Sequence, residues 1–284
     1  MRLATINHEG QEQPVVLRDG HAFLHRDIAR HLTKSYPLSL LELIRLGMLA
    51  DFRKECASLQ EEWASMHRLS ADEVAFTAPY RNPVHILGVG MNYVEKAEDL
   101  QATPVEDMPV CFMKPATSLV GINEGIALPA VSKHVTAEGE LSLIIGRRCF
   151  EVGEEEALEY VAGYTTSLDL TAKDIHAQNP RFIQMAKLCK GFFSFGPEIV
   201  LLEHPADLGS LQVETVQNGE VTHRNTVRHM IYTPAFIVSY ISQFLELRPG
   251  DVIMTGTPGS FTVAKGDVAA CRVTGLRELQ NAIS

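Results

Sequence analysis

What most constrains the fold of this chain is the succession of short apolar runs that follows residue 80. Runs at 84–89, 110–113, 140–145, 164–168, 199–202, 211–216, 252–255 and 268–273 have the length and composition of β-strands. Helical spacing intervenes only at 154–161, at about 180–188 and at 234–247. A doubly wound parallel sheet needs a helix after nearly every strand, so that architecture is excluded. The pattern predicts an α+β, mainly β body. No internal repeat or low-complexity segment interrupts it.

The region before residue 80 reads differently. Residues 1 to about 30 alternate short strand-like runs with turn signals, and Asp19-Gly20 between apolar pairs predicts a hairpin. From Leu38 the spacing becomes helical, through Leu40, Leu43, Ile44, Leu46, Leu49, Phe52, Leu59 and Trp63. Ser39 followed by Glu42 has the form of a capping box. Pro79 and Pro83 then punctuate the chain, which places a boundary near residue 80. The reading is a small N-terminal α/β domain over 1–80 and a β-rich domain over 81–284.

Charge and cysteine usage exclude some partners. The 284 residues carry 25 Lys and Arg against 35 Asp and Glu, a net charge of −10 with no basic block. Nucleic acid binding needs clustered cations, so no nucleic acid partner is expected. No apolar stretch approaches the roughly 20 residues of a membrane span, and no membrane partner is expected. The first ten residues lack an apolar signal-peptide core. Five scattered cysteines without a CxxC pair read as reduced thiols, which points to the cytoplasm.

The stretch Glu138-Gly139-Glu140, leading into Leu141-Ser142-Leu143-Ile144-Ile145, carries the most chemistry. On a strand, Glu138 and Glu140 share one face and Leu141, Leu143 and Ile145 share the other. Paired carboxylates repel unless a cation lies between them; two solvated surface acids are the plain alternative. Asp169, at the end of a second strand-like run, is a candidate third ligand, although spacing leaves open whether it faces the glutamates. Three carboxylates without His or Cys form an oxygen-only set suited to Mg²⁺, Mn²⁺ or Ca²⁺. Thr255-Gly256-Thr257-Pro258-Gly259 is either an anion-binding turn or an ordinary surface turn. Lys114 and Lys190 each stand beside apolar residues, where a snorkelling surface charge is the plain alternative.

Taken in order, these segments resemble the fumarylacetoacetate hydrolase family. Met1-Arg2-Leu3-Ala4-Thr5 is similar to the opening of its N-terminal domain, and Gly90-Met91-Asn92-Tyr93 to its G-x-N-Y segment. Phe112 to Lys114 and Pro115 resemble F-x-K-P, and Glu138 to Leu141 resemble E-x-E-L. Leu168-Asp169 with Thr171-Ala172-Lys173-Asp174 resembles the family's N-D-x-[ST]-A-R-D, and Pro249-Gly250-Asp251 leading into Thr255 to Pro258 resembles P-G-D-x-I-x-T-G-T-P. The resemblance implies a mixed β-sandwich roll, commonly a homodimer, and a divalent cation held by Glu138, Glu140 and Asp169. It implies a small-molecule 2-oxo acid substrate, with Tyr93, Lys114, Lys173, Gly256 and Thr257 around it. For the family's lysine after the metal-binding aspartate, Lys190 before Gly191-Phe192 fits the motif better than Lys187. A 2-oxo acid would chelate the cation, which would stabilise an enolate, and Lys190 would add positive charge there.

The sequence departs from the family pattern at the water-activating dyad. Hydrolytic members place His shortly after N-Y with an acid three residues on; here Lys96 and Asp99 hold those positions. The acidic neighbours Glu95, Glu98 and Asp99 favour a protonated Lys96, which cannot take a proton from water. Lys173 replaces the usual Arg, and Gly259-Ser260-Phe261 replaces G-V-G. His176 stands where the family more often has Gln; it is either a titratable catalytic group or a structural histidine. Family membership favours hydrolysis of a carbon–carbon bond in a 2-oxo or β-diketo acid. The changed dyad favours isomerisation, tautomerisation or decarboxylation without water activation. A catalytically silent metabolite-binding homologue is the further alternative.

Overall fold

In the computed structural model, which describes residues 1–95 and 108–284 and leaves the side chains of 205–207 undescribed, glycine turns open the chain. Strands Arg2–His8, Gln11–Arg18 and His21–Leu24 form an antiparallel meander. Its two turns, Glu9-Gly10 and Asp19-Gly20, put both residues at positive φ, 54° and 78° in the first and 50° and 76° in the second. That is the type I′ geometry whose twist matches the flanking strands, and glycine adopts it without steric cost.

The expected helical stretch after Leu38 is three pieces, Leu40–Arg45, Leu49–Ser58 and Glu62–Ser65. Ser39 caps the first by accepting from the Glu42 amide at 3.2 Å. Gly47, at φ 68°, breaks the run. The helical segment expected over 180–188 is likewise short, a 3₁₀ turn Pro180–Phe182 followed by Ile183–Ala186.

All eight expected strands of the body are present. The fold is mixed α+β and mainly β, as the strand spacing predicted. One large sheet runs from the N-terminal meander through Glu198–Leu201, Val161–Ala172, Val135–Ile145, Val252–Met254 and Ile86–Gly90 to Val110–Lys114 at its edge. A four-stranded sheet, Gln212–Gln217 flanked by Glu220–Thr226 and Val268–Val273, with Leu279–Ala282 outermost, packs against it. Between them lies a core that includes Leu141, Leu143, Leu168, Leu170, Val213 and Val273.

The boundary drawn at residue 80 does not separate two packed bodies. Arg2–His8 pairs with Glu198–Leu201, so both regions share one sheet. Their side chains share one core as well, with Leu43, Phe52 and Trp63 in the same cluster as Ile144, Phe193 and Met254. Among the described residues, no helix is long and apolar enough to cross a membrane.

Candidate metal centre

Strand register brings the three acids together. Val135–Ile145 and Val161–Ala172 are antiparallel neighbours in which Glu138 stands opposite Asp169 and Glu140 opposite Ser167. Directly opposed residues project to the same face. Alternation puts Glu140 on the face of Glu138, so all three carboxylates converge. One oxygen from each lies within 4.8 Å of the others. Glu140 and Asp169 are buried, and Glu138 is partly exposed at the open side.

Gly139 is required by what lies behind this strand. A Cβ there would sit 2.8 Å from the Glu214 carbonyl oxygen and 3.2 Å from Cys271 Sγ. The E-x-E strand therefore presses its backbone onto the second sheet while its two acids face away.

Two lysines meet the acids. Lys187 Nζ contacts Asp169 Oδ2 and lies 3.1 Å from Glu138 Oε2, with its ammonium 4.3 Å from the centre of the Phe112 ring. Lys114 Nζ is 2.6 Å from Asp169 Oδ1 and donates to the carbonyls of Phe192 at 2.7 Å and Leu170 at 2.9 Å. Its ammonium protons thus face the protein, and Lys114 braces Asp169 rather than offering a free cation to a substrate. Lys190 is exposed and has no hydrogen bond or ion pair to the acids. The cation brought to the triad after Asp169 is Lys187, in place of the expected Lys190. The motif before Gly191-Phe192 favoured Lys190, but the short helix Ile183–Ala186 delivers Lys187 inward at its end.

The electrostatics follow from burial and crowding. Burial, then the charges of Asp169 and Glu138, push the Glu140 carboxyl well above its ordinary range. Burial pulls Lys114 down to about 8 against the opposing pull of Asp169. For Lys187 burial also acts downward, but Asp169 and Glu138 outweigh it and raise the ammonium above its ordinary value.

The turn after Met254 closes over the strand pair. Gly256 donates its N–H to Glu140 Oε2 at 2.6 Å, so this residue orients an acid. At φ 102°, with an added Cβ 2.7 Å from that of Asn92, the position admits only glycine. Thr257 Oγ1 donates to the Gly259 carbonyl at 2.9 Å and accepts from the Gly259 amide at 3.2 Å. Its hydroxyl shapes the turn. The chain then returns alongside the acids, with Ser260 paired to Glu138.

Tyr93 is half-buried, with a hydroxyl that finds no hydrogen-bond partner among the described residues. Burial and the charge of Glu140 raise its pKa. His176, on the helix Lys173–Gln178, is held below its ordinary pKa by partial burial and by Lys173 and Lys187, with Glu138 opposing. Lys173 on the same helix is exposed. Lys96 and Asp99 lie outside the described residues.

These residues fit a divalent cation. Converging carboxylates, one raised in pKa by burial and then by the others, give a donor set that a hard cation would neutralise. The orphaned Tyr93 hydroxyl offers a further polar group under Glu140's influence. Sequence reasoning missed Thr215, whose buried hydroxyl bonds both the E-x-E strand and the turn. A threonine inside a strand carries no signal of that role.

Comparison with known proteins matches residues 85–284 to the model described as fumarylacetoacetate (FAA) hydrolase C-terminal. The chain is 31% identical over 229 residues to the oxaloacetate tautomerase fahd2, mitochondrial, of Xenopus laevis, covering 78% of this chain and 72% of that protein. A fumarylacetoacetate hydrolase from Exiguobacterium antarcticum superposes with a TM-score of 0.86 at 30% identity, covering 100% of this chain and 99% of that one. A 5-carboxymethyl-2-hydroxymuconate delta-isomerase from Mycobacterium smegmatis gives 0.79 at 27% identity, covering 100% and 98%.

Proposed function

We propose that this chain, which belongs to the fumarylacetoacetate hydrolase family, is a divalent-metal-dependent tautomerase of a 2-oxo acid of the oxaloacetate class. The observation that carries the reading is the oxygen-only triad of Glu138, Glu140 and Asp169 with the Lys187 ammonium against it. Similarity to an oxaloacetate tautomerase supports the substrate class. Lys96 in the position of the hydrolytic histidine supports a reaction without water activation. Glu138, Glu140 and Asp169 would hold Mg²⁺ or Mn²⁺, which when bound supplies Lewis-acid polarisation of the substrate's keto group.

The protein's own groups account for the rest. Lys114 braces Asp169 from inside, and Gly256 N–H aims Glu140. Lys187 places positive charge where the substrate oxygen becomes negative, a preorganised contribution worth on the order of 100-fold or more. His176, its pKa lowered by partial burial and by Lys173 and Lys187, accepts the proton from the carbon next to the keto group. The step balances when the imidazolium gives that proton up to the keto oxygen, directly or by exchange through solvent.

The test follows enol oxaloacetate optically as it converts to the keto form. Acceleration that is lost with a chelator, restored by Mg²⁺, and reduced about 100-fold in His176→Gln supports the reading. No acceleration, with rapid cleavage of an acylpyruvate instead, overturns it in favour of carbon–carbon hydrolysis. That second reading is favoured by the likeness to the Exiguobacterium antarcticum hydrolase. Slow acylpyruvate cleavage by wild type, raised by Lys96→His more than tautomerisation is, supports the tautomerase reading instead.

A further inference from the structure

We propose that Thr215 is a positioning residue that sets the Thr257–Gly259 turn against the metal-ligating strand, and so controls ligand binding without touching the metal. The inference rests on the reading of the site as a metal and 2-oxo acid centre. Thr215 lies in Gln212–Gln217 of the second sheet and is fully buried. A threonine hydroxyl has one proton and two lone pairs. Here it accepts from the Gly139 amide at 3.0 Å and donates to the Gly259 carbonyl at 2.9 Å, with Thr257 Oγ1 3.4 Å away.

Gly139 is the residue between the two glutamates, and it can approach Thr215 because it has no Cβ: one would stand 3.2 Å from Thr215 Cα. Its amide therefore ties the middle of the E-x-E segment to the second sheet. Gly259 is the end of the turn whose beginning, Gly256, donates to Glu140. The contacts close a ring from Glu140 through Gly256, Thr257, Gly259 and Thr215 to Gly139 and back to Glu140. Thr215 supplies the one link in that ring from outside the strand and the turn. His223, its cross-strand partner, adds a second hold: a Cβ on Gly259 would lie 2.2 Å from the His223 ring.

The carboxylates themselves are aligned by the register of their strand pair, which Thr215 does not set. Removing the hydroxyl should therefore loosen the turn more than the metal ligands. The experiment titrates Mn²⁺, then oxalate in excess Mn²⁺, into wild type, Thr215→Val and Thr215→Ser, with thermal melts on each. A neutral hydrogen bond of this kind is worth up to about tenfold in an equilibrium. The expected result is Mn²⁺ affinity within about threefold of wild type in Thr215→Val and oxalate affinity about tenfold weaker, with Thr215→Ser restoring it. Thr215→Ala, which deletes the hydroxyl without pressing a new methyl on Gly139, carries the comparison should the valine variant not fold. Oxalate affinity unchanged in the hydroxyl-free variant, or equally weak in Thr215→Ser, overturns the inference alone. Wild-type protein that binds Mn²⁺ but no oxalate overturns the expectation that Gly256 and Thr257 lie around the ligand, and the inference with it. Wild-type protein that binds neither overturns the reading of the site.

Discussion

Asp169 stands between two buried ammonium groups, Lys114 on one carboxylate oxygen and Lys187 on the other. Removing its charge leaves both cations in the interior with one fewer anion. Breaking a buried pair by deleting one partner typically costs about 3–5 kcal/mol. Asp169→Asn should therefore lose metal binding and also lower the urea midpoint, whereas Glu138→Gln, at the open side, should lose metal binding with little change in stability. Equal stability losses in the two variants would contradict the assigned burial roles. The acids themselves were legible in the sequence, because E-x-E and the later aspartate are local patterns. The lysine was not. Lys187 and Lys190 lie three residues apart beside the same apolar segment, and only the placement of a four-residue helix decides which one turns inward. Thr257 was visible as a turn residue, but that its hydroxyl bonds back to Gly259 depends on the turn's conformation.

At the scale of elements, the helix His25–His31 begins on a buried histidine. The His25 ring packs 4.7 Å from that of Phe52 and 5.7 Å from that of Tyr36, centre to centre. Neither ring nitrogen has a hydrogen-bond partner among the described residues. Burial lowers its pKa from 6.5 to about 4. The folded value lies below the unfolded one, so the unfolded chain takes up a proton first as pH falls. The stability contribution is complete above about pH 6.5 and is lost progressively toward pH 4, by on the order of 3 kcal/mol. Urea midpoints of wild type should fall over that window, and those of His25→Phe should fall less; parallel curves would contradict the account. Strand positions were largely legible because each is a short apolar run bounded by turn residues. Glu220–Thr226 was not, since its side chains are mostly exposed and it has no buried stripe to betray it. The helical spacing read after Leu38 is interrupted at Gly47, where a left-handed residue outweighs apolar spacing.

For the whole molecule, the centre depends on pairings between residues far apart in sequence. The two acid-bearing strands are neighbours, but the turn that closes over them and the sheet that backs them come from the last third of the chain. The N-terminal meander continues the same sheet, and Arg2 pairs with the buried Glu198 at 2.6 Å. A composition shift near residue 80 marked a change of local pattern, and it could not reveal a shared sheet, because strand pairing across that distance leaves no local trace. The central claim is that Glu138, Glu140 and Asp169 form one divalent-metal site. Calorimetric titration of Mn²⁺ into chelator-stripped wild type and Glu140→Ala tests it most directly, with circular dichroism to verify that the variant is folded. The account predicts one site per chain in wild type and its loss in folded Glu140→Ala; full Mn²⁺ binding by that variant would contradict it.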